Sequence, residues 1–287
     1  MDLSERQNLL LAGGSYSGAG GVSYHLQDKI ASSQPVNLAV VSLVGGASDL
    51  FFRLHGVLML CAWLGCAGLG MILARYFKKT WRGKQVLGKD LWFQFHRTLM
   101  ILTVLLSMAA VVLVVMKVDV QPLAISNLKV NAHPIIGLCC VVLAIIQPIM
   151  AAFRPHPGAP GRNFFNWVHW AVGNTAHCCG VVAIFLAGTL AKAKLASNSW
   201  WTWTMLGYVI FHFLVHISLS FLMAKEERSS KVRDTQMQVM NGKVGPMYYD
   251  DGVSAESGSG VRKFLTFVYL LASWGVAAAL TVAVFQA

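Results

Sequence analysis

The chain has little charge, and acid in particular is scarce. Asp, Glu, Lys and Arg make up 12% of its 287 residues and the mean hydropathy is +0.57, whereas a soluble domain is about one quarter charged. That excludes a pair of small soluble domains and points to a membrane protein. The 12 acids stand against 23 Lys and Arg, a net charge of +11. Such an excess would suit nucleic acid if it lined one face. Here the basic residues fall mainly in loops between apolar runs, which fits the positive-inside rule and leaves no nucleic-acid partner expected. A disulfide framework is also missing: Cys61, Cys66, Cys139, Cys140, Cys178 and Cys179 all lie inside apolar runs, with no metal-binding spacing. No glycine-rich fingerprint sits between a strand and a helix, which argues against a nicotinamide-driven reductase. Leu9 to Gly14 is too short and wrongly flanked for a signal peptide.

What the chain has is long apolar runs. Six are long enough to cross about 30 Å of hydrocarbon as helices: 51–76, 92–116, 132–153, 165–190, 200–223 and 264–286. Residues 1–50, rich in Gly and Ser, read as a flexible extracytoplasmic leader or the remnant of a larger extracytoplasmic domain, with a turn into a short strand over Gly18 to His25 and a linker at Val44 to Ser48. The division is therefore 1–50 leader or domain remnant, 51–223 core plus fifth helix, 224–263 polar and mostly disordered cytoplasmic loop with room for a short amphipathic turn at its start, and 264–287 sixth helix. Setting aside Arg97 within the second run, fifteen Lys and Arg fall on one side of such a bundle, among them Arg75, Lys78, Lys79, Arg82, Lys84 and Lys89, and seven on the other. The richer side is expected to be cytoplasmic, with both termini outside.

Four histidines order these runs. His55, His96, His133 and His169 stand near the starts of four consecutive helices, at intervals of 41, 37 and 36 residues. Successive starts alternate between membrane faces, so His55 pairs with His133 on one side and His96 with His169 on the other, at levels roughly 20 Å apart. An ionisable group in a bilayer is costly and marks function by default. A neutral imidazole ligating iron escapes that cost, because its lone pair goes to the metal and its other nitrogen can donate. One such histidine alone reads as an interhelical hydrogen-bonding residue. Four at matched depth read as metal ligands for two b-type haems, each with two axial histidines.

Neighbouring residues fit the same expectation. Gly56 and Gly137 leave room beside the outer ligands, and Arg53, Arg97, Arg154 and Arg162 are placed to meet haem propionates or to snorkel to the interface. Phe93, Phe95, Trp167 and Trp170 would flank the inner haem or form an aromatic belt. His25 and His156 read as solvated, and His177 as mid-membrane. His212 and His216 have i, i+4 spacing able to bind a metal, but no further ligand is visible and a third metal site is not expected.

The phrases His55-Gly56-Val57-Leu58-Met59, Phe93-Gln94-Phe95-His96-Arg97, His133-Pro134-Ile135-Ile136-Gly137 and Asn166-Trp167-Val168-His169-Trp170 resemble the cytochrome b561 core. Gln147-Pro148 and Phe153-Arg154-Pro155 resemble its ferric-chelate reductase 1 branch more narrowly, in which a b561 module follows reelin and DOMON domains. Residues 9–48 look like the last strands and linker of a DOMON domain, so the resemblance implies a piece or short form of a longer protein. It implies an all-α membrane protein of six helices with a four-helix di-haem core, and helices five and six outside that core. It also implies electron transfer from cytoplasmic ascorbate to an extracytoplasmic acceptor such as ferric chelate, with a homodimer as one assembly open to it. Carried over by position, the ligands are His55 with His133 and His96 with His169, while Arg75, Lys78, Lys79 and Arg154 would hold the ascorbate monoanion. Some members carry a further histidine in the outer loop near the acceptor. Here 117–131 has Lys117, Asp119 and Lys129 but no histidine, and Lys117, Lys129 and Arg53 remain to attract an anionic chelate. Two other classes compete: an electron relay to a partner redox domain or monooxygenase, and a haem-free receptor or scaffold.

Overall fold

The structure is a computed structural model and describes residues 10–12, 16–17, 21–22, 29–31, 50–81, 83–116, 128–190, 199–240 and 259–286. Two compact units divide the chain, Met1–Phe52 and Arg53–Ala287. In the first, β1 (Leu10–Ala12) pairs antiparallel with β4 (Lys29–Ala31), and β2 (Tyr16–Ser17) with β3 (Gly21–Val22). β3 lies within the stretch expected to form a strand. The linker at Val44 to Ser48 and most of the outer loop 117–131 lie outside the described residues.

The second unit is a bundle of six long apolar helices: α1 (Leu50–Tyr76), α2 (Leu91–Val115), α3 (Leu128–Ala152), α4 (Arg162–Ala187), α5 (Ser199–Met240) and α6 (Ser259–Gln286). Helices suit these sequences because no water reaches the hydrocarbon to satisfy a free N–H or C=O. The protein is thus a multi-pass integral membrane protein, with all six spans in the expected places. Side chains such as Ile101, Leu105 and Val112 on α2 face outward, where lipid replaces protein.

α1 is the axis. In its most apolar stretch 61% is buried, against 17–28% in the other five helices. Small residues explain this, since they let neighbouring backbones approach closely. A methyl group at Gly180 of α4 would come within 2.5 Å of the Trp63 ring, and one at Gly65 within 2.9 Å of Trp274. α1 also holds a π-helical segment, Cys61–Ala67, inside this packed region. α3 and α4 form the other closely packed pair, α2 bridges α1 and α3, and α5 and α6 lie against α1.

Two features depart from the sequence reading. Before α2, a hairpin of β5 (Gln85–Val86) and β6 (Lys89–Asp90) stands where only a basic loop was expected. Its turn places Leu87 and Gly88 at φ 51° and 68°, the left-handed pair that a tight hairpin requires, and Gln94 Nε2 donates to the Val86 carbonyl at 2.6 Å. The polar stretch after residue 223 is not a loop at its start but continues α5 to Met240. Lys225-Glu226-Glu227-Arg228 are good helix formers, and the acids find partners across the bundle. Glu226 pairs with Arg262 of α6, which is 3% exposed and also donates to Thr80 at 3.1 Å, while Glu227 pairs with Lys79 at 3.3 Å. Residues 241–258 of that stretch lie outside the described residues.

Candidate cofactor sites at the two ends of the bundle

At the end of the bundle where α1 begins, His55 and His133 face each other across α1 and α3. Their ring centroids are 6.3 Å apart and their planes 72° apart. His55 Nδ1 lies 3.0 Å from the Ala110 carbonyl near the end of α2, and His133 Nδ1 2.8 Å from the Ala183 carbonyl near the end of α4. A helical carbonyl has a second lone pair to offer, and alanine leaves it uncovered. Because a carbonyl only accepts, each Nδ1 must carry the proton, and each Nε2 keeps a free lone pair. This arrangement orients metal-ligating histidines.

The spacing fits a ligand held between the rings. Two imidazoles that each placed a nitrogen about 2 Å from one metal ion would have ring centroids about 5–6 Å apart, close to the 6.3 Å separation of His55 and His133. One turn from His133 on the same face, a methyl added at Gly137 would meet nothing within 4 Å, so that side of α3 is open. Gly56 differs: its methyl would lie 3.7 Å from Val284 of α6, so its small size serves helix packing there. Arg53 donates to the Phe285 carbonyl at 3.1 Å and lies over that ring, which ties it to the end of α6.

His96 and His169 occupy the opposite end. His96 Nδ1 lies 3.0 Å from the Gly70 carbonyl of α1, again leaving Nε2 free. Gly70 is fifteen residues beyond His55, which at the helical rise separates the two levels by about 20 Å. His169 lies within electrostatic reach of His96. Its support is different: the ring stacks on Phe165 at 5.7 Å and 13°, its main-chain carbonyl accepts from Gln147 Nε2 at 3.2 Å, and its Nδ1 is buried without a hydrogen-bond partner. The first end thus presents two facing imidazoles, while at the second His96 and His169 lie within electrostatic reach of each other and no hydrogen bond fixes the His169 tautomer.

Around this second pair the expected cations converge. Burial first, then Arg154, Arg162 and Arg75, hold the Lys78 ammonium below the ordinary lysine value. Burial and Arg162 lower Arg154 likewise. Lys78 lies over the Trp92 ring at 5.5 Å and Arg154 over Phe93 at 5.7 Å, and both are within electrostatic reach of His96. Arg162 donates to the Pro155 carbonyl. Lys79 does not join this group, because it turns outward to Glu227. Arg97, Trp167 and Trp170 are exposed, with the two tryptophans in edge contact at 5.3 Å. Among the described residues, no group of three His, Cys, Asp or Glu is arranged to hold a metal ion. A haem asks for only two protein ligands per iron, since its macrocycle supplies the others.

Sequence reasoning had singled out these histidines and most of these cations. It missed Phe165 and the Gly70, Ala110 and Ala183 carbonyls, and it singled out Gln147 only as a motif residue, without its contact to His169. Any residue offers a carbonyl, so the small side chains at those three positions were the one available signal.

Comparison with known proteins gives a consistent set of relatives. No family profile matches the chain and no solved structure matches it. A putative ferric-chelate reductase 1 homolog of Drosophila melanogaster is 42% identical over 234 residues, covering 82% of this chain and 35% of that protein. Ferric-chelate reductase 1 of Homo sapiens is 31% identical, covering 81% of this chain and 38% of the human protein. A cytochrome b561 and DOMON domain-containing protein of Arabidopsis thaliana is 29% identical over 139 residues, 48% of this chain and 31% of its own length. The chain thus spans about a third of the length of the curated relatives it matches.

Proposed function

Across its membrane bundle the chain belongs to the ferric-chelate reductase 1 branch of the cytochrome b561 family, and from that premise we propose that it moves electrons across the membrane. The donor is ascorbate on the Lys- and Arg-rich side, taken as cytoplasmic. The acceptor is an extracytoplasmic ferric chelate. The observation that carries this reading is the facing pair His55 and His133, each with Nδ1 committed to a main-chain carbonyl and Nε2 free.

When bound, two b-type haems supply one-electron redox chemistry at the two ends of the bundle. His55 and His133 would hold the outer one, His96 and His169 the inner one. The Ala110, Ala183 and Gly70 carbonyls keep three of the four imidazoles in the ligating tautomer and fix their planes. Arg75, Lys78, Arg154 and Arg162 attract and orient the ascorbate monoanion, with Trp92 and Phe93 supporting two of those cations. Arg53, held to the end of α6, contributes positive charge where an anionic chelate would arrive.

The test is an ascorbate-reduced minus oxidised spectrum with a pyridine haemochrome count, on wild type and His55→Ala. Two haems per chain, reducible by ascorbate and falling to one in the variant, is the expected result. Well-folded protein without haem would end this reading and leave a receptor or scaffold. Haem that ascorbate cannot reduce would keep the cofactor and reject the donor.

A further inference from the structure

Of the five histidines that the proposed haem sites do not use, three, His177, His212 and His216, lie together inside the bundle. His177 of α4 is buried with neither ring nitrogen hydrogen-bonded. Its ring is 5.2 Å from that of His212 on α5, which is 4.5 Å from that of His216 one turn further on. His216 Nε2 is likewise buried without a partner. Burying unpaired nitrogens in hydrocarbon is costly and asks for a functional reason.

From this cluster a line of polar groups runs toward the end that bears Arg75. Tyr76 Oη sits 3.1 Å from His216 Nδ1 and 2.9 Å from Ser220 Oγ. Toward the middle of the bundle, His212 Nδ1 lies 2.9 Å from Tyr269 Oη, which lies 3.2 Å from Tyr208 Oη. On α5 the residues Tyr208, His212, His216 and Ser220 recur every fourth position, a single stripe about 18 Å long. Beyond Tyr208 the stripe ends. Trp201 and Met205 pack there with Ala277, Leu280 and Ala283, each no more than 2% exposed. The line reaches the half-buried Ser220, with exposed Arg75 at the same end, and is closed by apolar packing at the other. Tyr76, Trp63 and Tyr269 face the cluster from α1 and α6, Tyr208 lies beside it on α5, and Arg75 is within electrostatic reach of His216. None of these neighbours is a carboxylate.

We propose that His177, His212 and His216 form a proton-accepting cluster that takes up a proton from the Arg75 end, through Ser220 and Tyr76, as an electron enters the bundle. An electron added in a low dielectric is opposed by its own uncompensated charge, and a proton bound nearby offsets it. The balance is one proton from water onto an imidazole nitrogen for each electron accepted from the donor, and its return by the same route when the electron leaves. Because the route is closed beyond Tyr208, the cluster compensates charge rather than pumping protons. His177 is well placed for this, since eight residues along α4 put it about 12 Å from His169, between the two haem levels. The inference rests on the di-haem reading.

The whole chain in lipid nanodiscs, with haem counted first, provides the test. Haem potentials are titrated between about pH 5 and pH 8, the window in which an unperturbed imidazole changes charge, and proton uptake on reduction is read with a pH indicator. In wild type the reduction equilibrium should fall by up to tenfold per pH unit, about 59 mV for one electron, with protons taken up. His177→Gln and His216→Gln should each flatten that slope at unchanged haem content. Tyr76→Phe, which keeps the ring, should preserve the slope and slow uptake about tenfold or more, and it serves if the histidine variants do not fold. A flat slope in haem-loaded wild type overturns the proton cluster and leaves the electron-transfer reading standing. A slope unchanged in both histidine variants does the same. Protein without haem overturns the electron-transfer reading, and the cluster's role with it.

Discussion

At the end of the bundle that carries His55 and His133, both imidazoles are oriented by main-chain carbonyls, and Arg53 is tied to the last helix. At the other end His96 has such an anchor, but His169 rests on an aromatic stack, and four cations crowd the site. The first arrangement depends on where helices lie and little on side chains beyond the two histidines. The second depends on Phe165, Gln147 and the charges. A site built from backbone tolerates substitution around it. A site built from side chains can be adjusted to a soluble donor but is easily disturbed.

The largest effect expected is loss of a ligand. His133→Ala should remove the outer haem and halve the haemochrome count while leaving ascorbate reduction of the remaining haem intact. His96→Ala should remove the inner haem and abolish ascorbate reduction. If both variants lost the same spectral component, the division into two pairs would be wrong.

Next comes the support of the imidazoles. Phe165→Ala should weaken inner-haem retention about 10- to 100-fold, the range for losing a residue that orients a ligand, without touching the outer haem. Haem release followed separately at the two spectral components would show whether the ends differ as described.

The donor site should respond more mildly. Lys78→Gln or Arg154→Gln should raise KM for ascorbate about tenfold, the equivalent of a charge-assisted contact of about 1.4 kcal/mol, with little change in kcat. Lys79→Gln should move it less than about twofold, since an exposed ion pair contributes little. Lys78 is held below the ordinary lysine value, so its positive charge is lost at a lower pH than that of an unperturbed lysine. The contribution of Lys78 to donor binding should therefore be present at neutral pH and fall early on the alkaline side. In Lys78→Arg that fall should be absent, which a pH profile of KM would reveal.

The smallest effect lies in packing. Gly180→Ala would drive a methyl into the Trp63 ring, within 2.5 Å, and should cost about 1–3 kcal/mol of stability. A lower thermal midpoint with two haems retained would separate packing from ligation.

Much of this was legible because a membrane imposes simple rules. Apolar runs of sufficient length must be helices, and consecutive helices alternate in direction, so four histidines at nearly constant intervals pair in only one way. The polar continuation of α5 was not legible as helix, because Glu226 and Glu227 are stabilised by Arg262 and Lys79, far away in the chain. The hairpin before α2 carried a weak signal, since Leu87 is an unusual residue at positive φ.

By itself, the sequence determined the class of the protein, its six spans, the two levels of histidines and the side that carries the cations. All of these follow from residue type and linear spacing under a hydrophobic solvent. Tertiary structure alone decided which nitrogen is free on His55, His96 and His133, that Lys79 leaves the cation cluster while Arg162 joins it, and that His177 meets His212 and His216. Those outcomes depend on the rotation of each helix about its own axis. That rotation is set by the close approach of glycines to tryptophan and tyrosine rings across the bundle, which spacing along one helix cannot reveal.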